Sequence, residues 1–375
     1  MTFTFLDLFC GIGGFHRAMA ALGGRCVFAC DIDKSCREVY AANFGLVPHD
    51  DIRTAKDIPP ADVLCAGFPC QPFSNAGHRA GFADQTRGTL FHEIVRILDQ
   101  TKPRAFLLEN VKHIMKIQKG HVYRTILAAL NEVGYSVSVV VLSPDDFGVP
   151  QHRERVYFLG VRRPGARLPE MTIPECDPVS ILQQNVPARY KVKDDVVRVV
   201  EAWNETLPIL KAANFHHPVI CEYFRNTESD LSHHPAWKRL YIQNNRRLYA
   251  ENPSFWDDWE RRHDAVLSKR AIYKKLEWQV GEYDSSIWNH FLQLRQSGIR
   301  VKQSTRFPTL VAMVQTPIYG PERRFLTPRE CARLQSFPDT HILASKDSIA
   351  YKHLGNSVNV NVVEFVVRHL LAWAD

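Results

Sequence analysis

The sequence predicts an α/β protein, a parallel sheet covered by helices, into which a smaller region of different character is inserted. Three observations point there. From Thr4 to about Arg162, short apolar runs alternate with amphipathic segments, the pattern of strands that feed helices. The first run passes straight into a glycine turn, Phe9-Cys10-Gly11-Ile12-Gly13-Gly14, and then into a helix-like segment with Met19 and Leu22. The rhythm stops near Arg163, where Pro164, Pro169, Pro174, Pro178 and Pro187 interrupt it, and helical periodicity returns after Pro328.

The candidate strands are, in order, Thr4 to Leu8, Arg25 to Ala29, Val63 to Ala66, Ala105 to Glu109, Tyr135 to Leu142 and Arg155 to Val161. Glycines after the first permit positive φ and close approach of a ligand, and the next helix offers unpaired N–H groups. The second strand ends in Ala29-Cys30-Asp31, about 20 residues downstream, where folds of this kind place a carboxylate on ribose hydroxyls. The glycines do not follow the G-x-G-x-x-G dinucleotide spacing, so a nucleoside cofactor without a pyrophosphate fits better. Without a ligand, the same residues make a tight turn and a helix cap.

The third strand closes on Gly67-Phe68-Pro69-Cys70-Gln71-Pro72, which holds a thiol between two prolines at a strand end where open α/β sheets bind ligands. Such a cysteine, taken singly, is more simply a small buried hydrophobe than a nucleophile. Glu109 follows Phe106-Leu107-Leu108, and a carboxylate there is costly to desolvate unless an arginine pairs with it or chemistry retains it. Gln151-His152-Arg153-Glu154-Arg155 leads the sixth strand. Together, Cys70 and Glu109 suggest covalent catalysis on a ring that needs a nucleophile and proton contact at a nitrogen.

The middle region has another composition. It holds six of the seven tryptophans (Trp203, Trp237, Trp256, Trp259, Trp278, Trp288), which are expected in a core rather than as stacking platforms. Between Lys238 and Lys275 ten basic residues face five acidic ones, which allows a positive surface. Arg295, Arg300, Lys302 and Arg306 lead into Thr309-Leu310-Val311-Ala312 and are candidates for phosphate or base contacts. Cys221, His216, His217, His233 and His234 have poor spacing for a metal, and none is expected. The last apolar segment, Val358 to Trp373, is expected to pack back on the first domain.

A chain of 375 residues buries a sizeable core, and its net charge of +7 permits a polyanionic partner. No apolar run approaches the roughly 20 residues that cross a bilayer. The amino terminus lacks the pattern of a secretory signal, and nine cysteines without a Cys-x-x-Cys pair indicate neither a disulfide framework nor a familiar zinc site. A cytoplasmic protein with reduced thiols and no membrane association is expected.

These motifs, in this order, resemble the bacterial type of DNA cytosine-5 methyltransferase. Asp7-Leu8-Phe9-Cys10-Gly11-Ile12-Gly13-Gly14 resembles that family's cofactor loop, Gly67-Phe68-Pro69-Cys70-Gln71 its nucleophile loop, Glu109-Asn110-Val111 its acid and Gln151-His152-Arg153-Glu154-Arg155 its arginine motif. Arg329-Glu330-Cys331-Ala332-Arg333 with Phe337-Pro338, and Gly355-Asn356-Ser357-Val358, resemble its last two blocks. The likeness covers about the first 160 residues and the final 50, and six ordered blocks are far more specific than one.

The resemblance implies a Rossmann-like, S-adenosylmethionine-dependent methyltransferase sheet with an inserted, smaller target-recognition domain. Residues 1–165 would form the catalytic and cofactor-binding domain, 166–320 the target-recognition domain, and 321–375 the return to the catalytic domain. Cys70, Glu109, Arg153 and Arg155 would be catalytic, with Arg155 orienting the nucleophile or a base and Arg153 holding the cytosine carbonyl oxygen. S-Adenosylmethionine would meet Phe9, Gly11, Gly13, Asp31, Ile32, Asp51, Ile52, Asn356 and Ser357. Ile32 departs from the aromatic that relatives often carry there. Gln71, Ser74, Arg79, Arg300, Arg306 and Thr309 would touch DNA.

The implied reaction makes 5-methylcytosine in a short duplex DNA sequence after the base is flipped out, with a cognate restriction endonuclease as a genetic partner and a monomer as the working form. Two other readings use the same motifs. One is cytosine-5 methylation of transfer RNA, against which the long middle region argues. The other is a non-catalytic DNA-binding regulator, against which the intact Cys70, Glu109, Arg153 and Arg155 argue.

Overall fold

The computed structural model describes residues 2–69, 90–163, 168–169, 173–312 and 315–374. They divide into two compact units. The first comprises Met1–Asp177, Val311–Met313 and Pro328–Asp375, and the second Pro178–Leu310 and Val314–Thr327.

In the first unit β1 (Phe3–Leu8), β2 (Gly24–Cys30), β3 (Val63–Gly67), β4 (Ala105–Val111), β5 (Ser136–Leu142) and β6 (Arg155–Val161) form one sheet in the order β2-β1-β3-β4-β6-β5. All six strands expected from the sequence are present. β1 to β4 are parallel. β6 instead runs antiparallel to both β4 and β5, so the expectation of a wholly parallel sheet fails at that strand. The reason is the link from β5 to β6: it carries the short 3₁₀ turn Pro144–Phe147 and no helix to take the chain across the sheet face, which a parallel connection requires.

The sheet is covered by α1 (Gly14–Ala21), α2 (Lys34–Phe44), α3 (Leu90–Thr101) and α4 (His121–Glu132). Leu64, Ala66, Phe106, Leu108, Val156 and Phe158 of the strands pack with Ile94, Ile97 and Leu98 of α3 and Ile126 and Leu130 of α4. α2 starts at Asp33, whose side chain accepts from the Ser35 N–H at 2.9 Å, and ends at Gly45 in the left-handed region.

The second unit contains α5 (Asp194–Asn204), α6 (Leu207–Ala212), α7 (Ala236–Glu251) and α8 (Pro253–Leu267). Its sheet is built from β7 (Val219–Ile220), β8 (Lys275–Gln279), β9 (Phe291–Arg295), β10 (Gly298–Lys302), β11 (Ile318–Tyr319) and β12 (Arg324–Phe325), in the order β12-β11-β9-β10-β8-β7. Trp203, Trp256, Trp259, Trp278 and Trp288 lie in its core, as expected. Trp237 is 59% exposed on the first turn of α7, edge-on to Tyr241 one turn later.

The chain then returns to the first unit as α9 (Pro328–Leu334), α10 (Asp347–Asn356) and α11 (Val360–Ala374). α11 packs on α1, β4 and β6, with Val362, Val363, Val366, Val367 and Leu370 fully buried, so the closing segment does pack back on the first domain. No helix among the described residues is long and apolar enough to cross a membrane.

Candidate active site

Parallel strands deliver their carboxyl ends to one edge of a sheet, and here that edge collects the site. β1 ends at Leu8 and continues through Phe9, Gly11 and Gly13, with φ of 55°, 54° and 87°. The left-handed conformation is inexpensive for glycine and costs a residue such as phenylalanine about 1 kcal/mol or more. At Gly13 a side chain is also excluded, because a Cβ would lie 2.1 Å from the Phe44 ring. The loop is tied to β2: the Cys10 N–H donates to the Cys30 carbonyl at 3.0 Å, and the Gly11 N–H to Asp31 Oδ2 at 2.8 Å.

Asp31 also accepts from the Asp33 N–H at 2.8 Å. Burial raises its carboxyl above the ordinary value, and those two backbone donors oppose the rise. A carboxylate has about four lone-pair sites, so two accepted bonds leave capacity for two hydroxyls. Arg37 on α2 donates to the carbonyls of both Asp31 and Ile32, at 2.8 and 3.0 Å, fixing the backbone between them. Sequence reading missed this clamp, although an arginine one helical turn past an acidic strand end was its signal. Ile32 is 72% exposed, which is unusual for an isoleucine.

Asp51 and Ile52 follow the segment through His49, which bridges to Cys30. Asp51 accepts from the Arg53 N–H at 3.0 Å and pairs with its guanidinium at 2.6 Å, which holds the carboxyl down at about 2. Ile52 is buried in the sheet core. The last block meets the amino end of α1: a Cβ on Gly14 would lie 2.7 Å from Val358 and 3.0 Å from Ser357 Oγ, while Asn356 is exposed.

A second group lies one and two strands further along. Gly67 at the end of β3 is in register with Glu109 of β4, and a Cβ on Gly67 would be 3.5 Å from Phe15 of α1 and 3.6 Å from Glu109 Oε2. Glu109 is 9% exposed and pairs with Arg155 at 3.1 Å. Burial pushes its carboxyl above the ordinary range, against the pull of Arg155 and then Arg153. The reversed direction of β6 explains the meeting: an antiparallel neighbour brings its first residues to the edge where β4 ends, with Val111 opposite Arg155.

Arg153 is used differently. Its Nη2 donates to the carbonyls of Gly355 and Ser357 at 2.9 and 3.0 Å, so it braces the last sequence block. Gln335 does the same from beyond α9, donating to Leu354 and Ser357 at 2.9 and 3.2 Å, and Gln151 donates to Leu334 at 2.9 Å. Asn110 donates to the Phe68 carbonyl at 2.9 Å and so anchors the backbone just before Pro69. Sequence reading assigned none of these three amides a role. Buried amides beside apolar strands were the available signal, since such groups must find carbonyls.

Cys70, Gln71, Ser74 and Arg79 lie outside the described residues. Arg300, Arg306 and Thr309 belong to the second unit, where Arg306 is exposed and Arg300 and Thr309 are half-buried.

Strand ends that carry a left-handed glycine loop, an aspartate with spare acceptor sites and a buried acid paired to an arginine fit a Rossmann-like methyltransferase. Comparison with known proteins carries the assignment further. The family of C-5 cytosine-specific DNA methylases matches residues 3–372. The chain is 33% identical to the Type II methyltransferase M.BanI of Aneurinibacillus aneurinilyticus, over 99% of this chain and 96% of that one. It is also 33% identical to the Type II methyltransferase M.HpaII of Haemophilus parainfluenzae, over 98% and 89%. Among solved structures, S. pombe Dnmt2 methyltransferase shares the fold, with a TM-score of 0.54 at 18% identity over 100% of this chain and 99% of that one. The chain belongs to the C-5 cytosine-specific DNA methylase family and is a DNA cytosine-5 methyltransferase.

Proposed function

We propose that this enzyme methylates cytosine within a short duplex DNA sequence through a covalent Cys70 adduct, with Glu109 as the proton donor at the ring. The observation that carries the assignment is Glu109, its carboxyl raised by burial and paired to Arg155, at the strand end next to the one that leads to Cys70. Carbon 5 of cytosine is a poor nucleophile. Addition of the Cys70 thiolate at carbon 6 breaks the aromaticity and moves electron density to carbon 5, while protonated Glu109 donates to ring nitrogen 3 and takes up developing charge. Once carbon 5 carries the methyl group, water or a hydroxyl base takes the carbon 5 proton and the electron pair expels the Cys70 thiolate, which restores the ring.

The sequence-based split of roles between the arginines changes in this reading. Arg153 is committed to the Gly355 and Ser357 carbonyls, so the guanidinium that faces the ring carbonyl oxygen is that of Arg155, already beside Glu109. Since the reacting atoms are inaccessible within a duplex, the cytosine leaves the stack, at a cost of a few kcal/mol that phosphate contacts offset.

The residues present fit S-adenosylmethionine. Asp31 retains acceptor capacity for ribose hydroxyls, the exposed Ile32 offers an apolar seat for an adenine, and Phe9, Gly11 and Gly13 give a left-handed loop open to a methionine moiety. Asp51, Ile52, Asn356 and Ser357 complete the candidate set. When bound, the cofactor supplies the electrophilic methyl group. An Ile32→Trp variant, which adds a π-face under the adenine, is expected to tighten cofactor binding about 2- to 10-fold by calorimetry. Weaker or unchanged binding would remove Ile32 from the adenine site.

The second unit, with Arg300, Arg306 and Thr309, is the target reader in this account. The enzyme works as a monomer in the bacterial cytoplasm, as the protective half of a restriction-modification pair. Labelled methyl transfer to duplex DNA and to transfer RNA tests the reading. Label in DNA, recovered as 5-methylcytosine, is expected. Label confined to transfer RNA, or none in either, would contradict it.

A further inference from the structure

The central strands of the second unit carry an unusual charge pattern. In the sheet, Arg300 of β10 is in register with Glu277 of β8 on one side and Gln293 of β9 on the other. Lys302 aligns with Gln279, and Gly298 with Arg295. The alternate residues Leu276, Trp278, Leu292, Ile299 and Val301 fill the hydrophobic core, so the polar set occupies the opposite face. That face therefore presents four cations, Lys275, Arg295, Arg300 and Lys302; Lys275 pairs with Glu222 at 3.7 Å, which leaves the other three against the single carboxylate of Glu277.

This excess of positive charge is half-buried. Burial and mutual repulsion lower both Arg295 and Lys302 from their ordinary values. Among the described residues, neither side chain has a hydrogen-bond or ion-pair partner. A fold that needed only an internal ion pair would keep Glu277 and Arg300 and place neutral groups beside them. Two further cations there, partly desolvated, call for an anion from outside, and a DNA backbone supplies phosphates at regular spacing.

Arg300 is held in a particular way. Its Nε donates to Glu277 Oε2 at 2.6 Å, and Glu277 is itself buried. The carboxylate thus fixes the plane of the guanidinium through Nε. Among the described residues, no partner takes the two Nη groups. Two parallel N–H donors in a fixed plane match guanine, whose major-groove edge offers two acceptors, O6 and N7, whereas adenine opposes one of them with its amino group.

We propose that Arg300, held by Glu277, reads a guanine of the DNA target, with Arg295 and Lys302 on the flanking phosphates. This rests on the reading of the second unit as the target recogniser. The test methylates a pool of duplexes with randomised sequence, followed by sequencing of the modified sites, for the wild type, Arg300→Lys and Glu277→Gln. Salt-dependent DNA binding of Arg295→Ala/Lys302→Ala is measured alongside.

The wild-type target is expected to contain a fixed guanine whose selection falls about 10- to 100-fold in Arg300→Lys, with the other motif positions kept. Glu277→Gln, which keeps the size of the side chain, relaxes the same position to a smaller degree. The double alanine variant binds DNA more weakly, with a salt dependence about two phosphates shallower. If Arg300→Lys keeps the whole motif while the double variant still weakens binding, the guanine assignment fails and the reader assignment stands. If the double variant binds like the wild type at every salt concentration, this sheet face does not meet DNA, and both the inference and its basis on this face fall.

Discussion

Glu109→Gln is expected to lower methyl transfer about 10²- to 10⁴-fold while cofactor affinity stays at the wild-type level. The amide keeps the volume of the side chain but cannot deliver a proton to ring nitrogen 3 as negative charge builds there. The effect depends on pH in a stated direction. Because burial raises the Glu109 carboxyl above its unfolded value, the protonated form that the chemistry needs persists to higher pH than for an exposed glutamate and is lost as pH rises through the folded value. The rate ratio of wild type to Glu109→Gln should therefore fall with rising pH, since the variant has no proton there to lose. A ratio that stays constant, or a variant with near wild-type rate, would take Glu109 out of the proton-donor role.

The same linkage bears on stability. The carboxyl's contribution is fully present below its unfolded value near 4.3 and declines as pH rises through the raised folded value. At neutral pH the Arg155 pair offsets part of that loss, and removing Arg155 would leave the buried carboxylate without its partner.

Cys70→Ser carries the other large effect. A serine hydroxyl is not ionised near neutral pH, whereas a thiol with an ordinary value near 8.5 supplies a thiolate fraction that a cationic neighbour can enlarge. Loss of the nucleophile is expected to reduce turnover by about 10⁴-fold or more, with cofactor binding retained. Single-turnover methylation of a cognate duplex measures it. Substantial activity in the serine variant would mean that carbon 5 is methylated without thiolate addition.

Much of the first unit was legible because its signals are local. Each of the six strands is a short apolar run closed by glycine, proline or a charged residue, and periodicity detects such runs. Strand direction is a different kind of information. Nothing in the residues of Arg155 to Val161 says that the strand runs against Ala105 to Val111; the missing crossover helix between β5 and β6 says it, and only when the pairing is known. That reversal also decides which arginine meets Glu109. Arg153 and Arg155 stand two positions apart in one motif, and the sequence offers no means of telling the brace of the Gly355 carbonyl from the partner of the acid.

The second unit was less readable for a physical reason. Its longest strands, KLEWQ, FLQLR and GIRVK, have five residues each and alternate apolar and polar positions across a half-buried face. Arg295, Arg300 and Lys302 stood out as candidates for phosphate or base contacts, but the buried Glu277 that holds Arg300 lies 23 residues away on another strand, and only the pairing brings the two together. Five of the six tryptophans, by contrast, were placed correctly from composition, because so large an apolar side chain has few options in a unit of this size; Trp237 is the exception, exposed on the first turn of α7.

The covalent Cys70 adduct is tested most directly with a cognate duplex in which 5-fluorocytosine replaces the target base. Fluorine at carbon 5 cannot leave as a proton does, so a thiolate addition followed by methyl transfer halts with the sulfur–carbon bond in place. Incubation with S-adenosylmethionine should yield a protein–DNA conjugate that survives denaturation, and peptide mapping should place the link at Cys70. An enzyme that methylates the ordinary duplex yet forms no such conjugate, or forms it at another residue, would contradict the account.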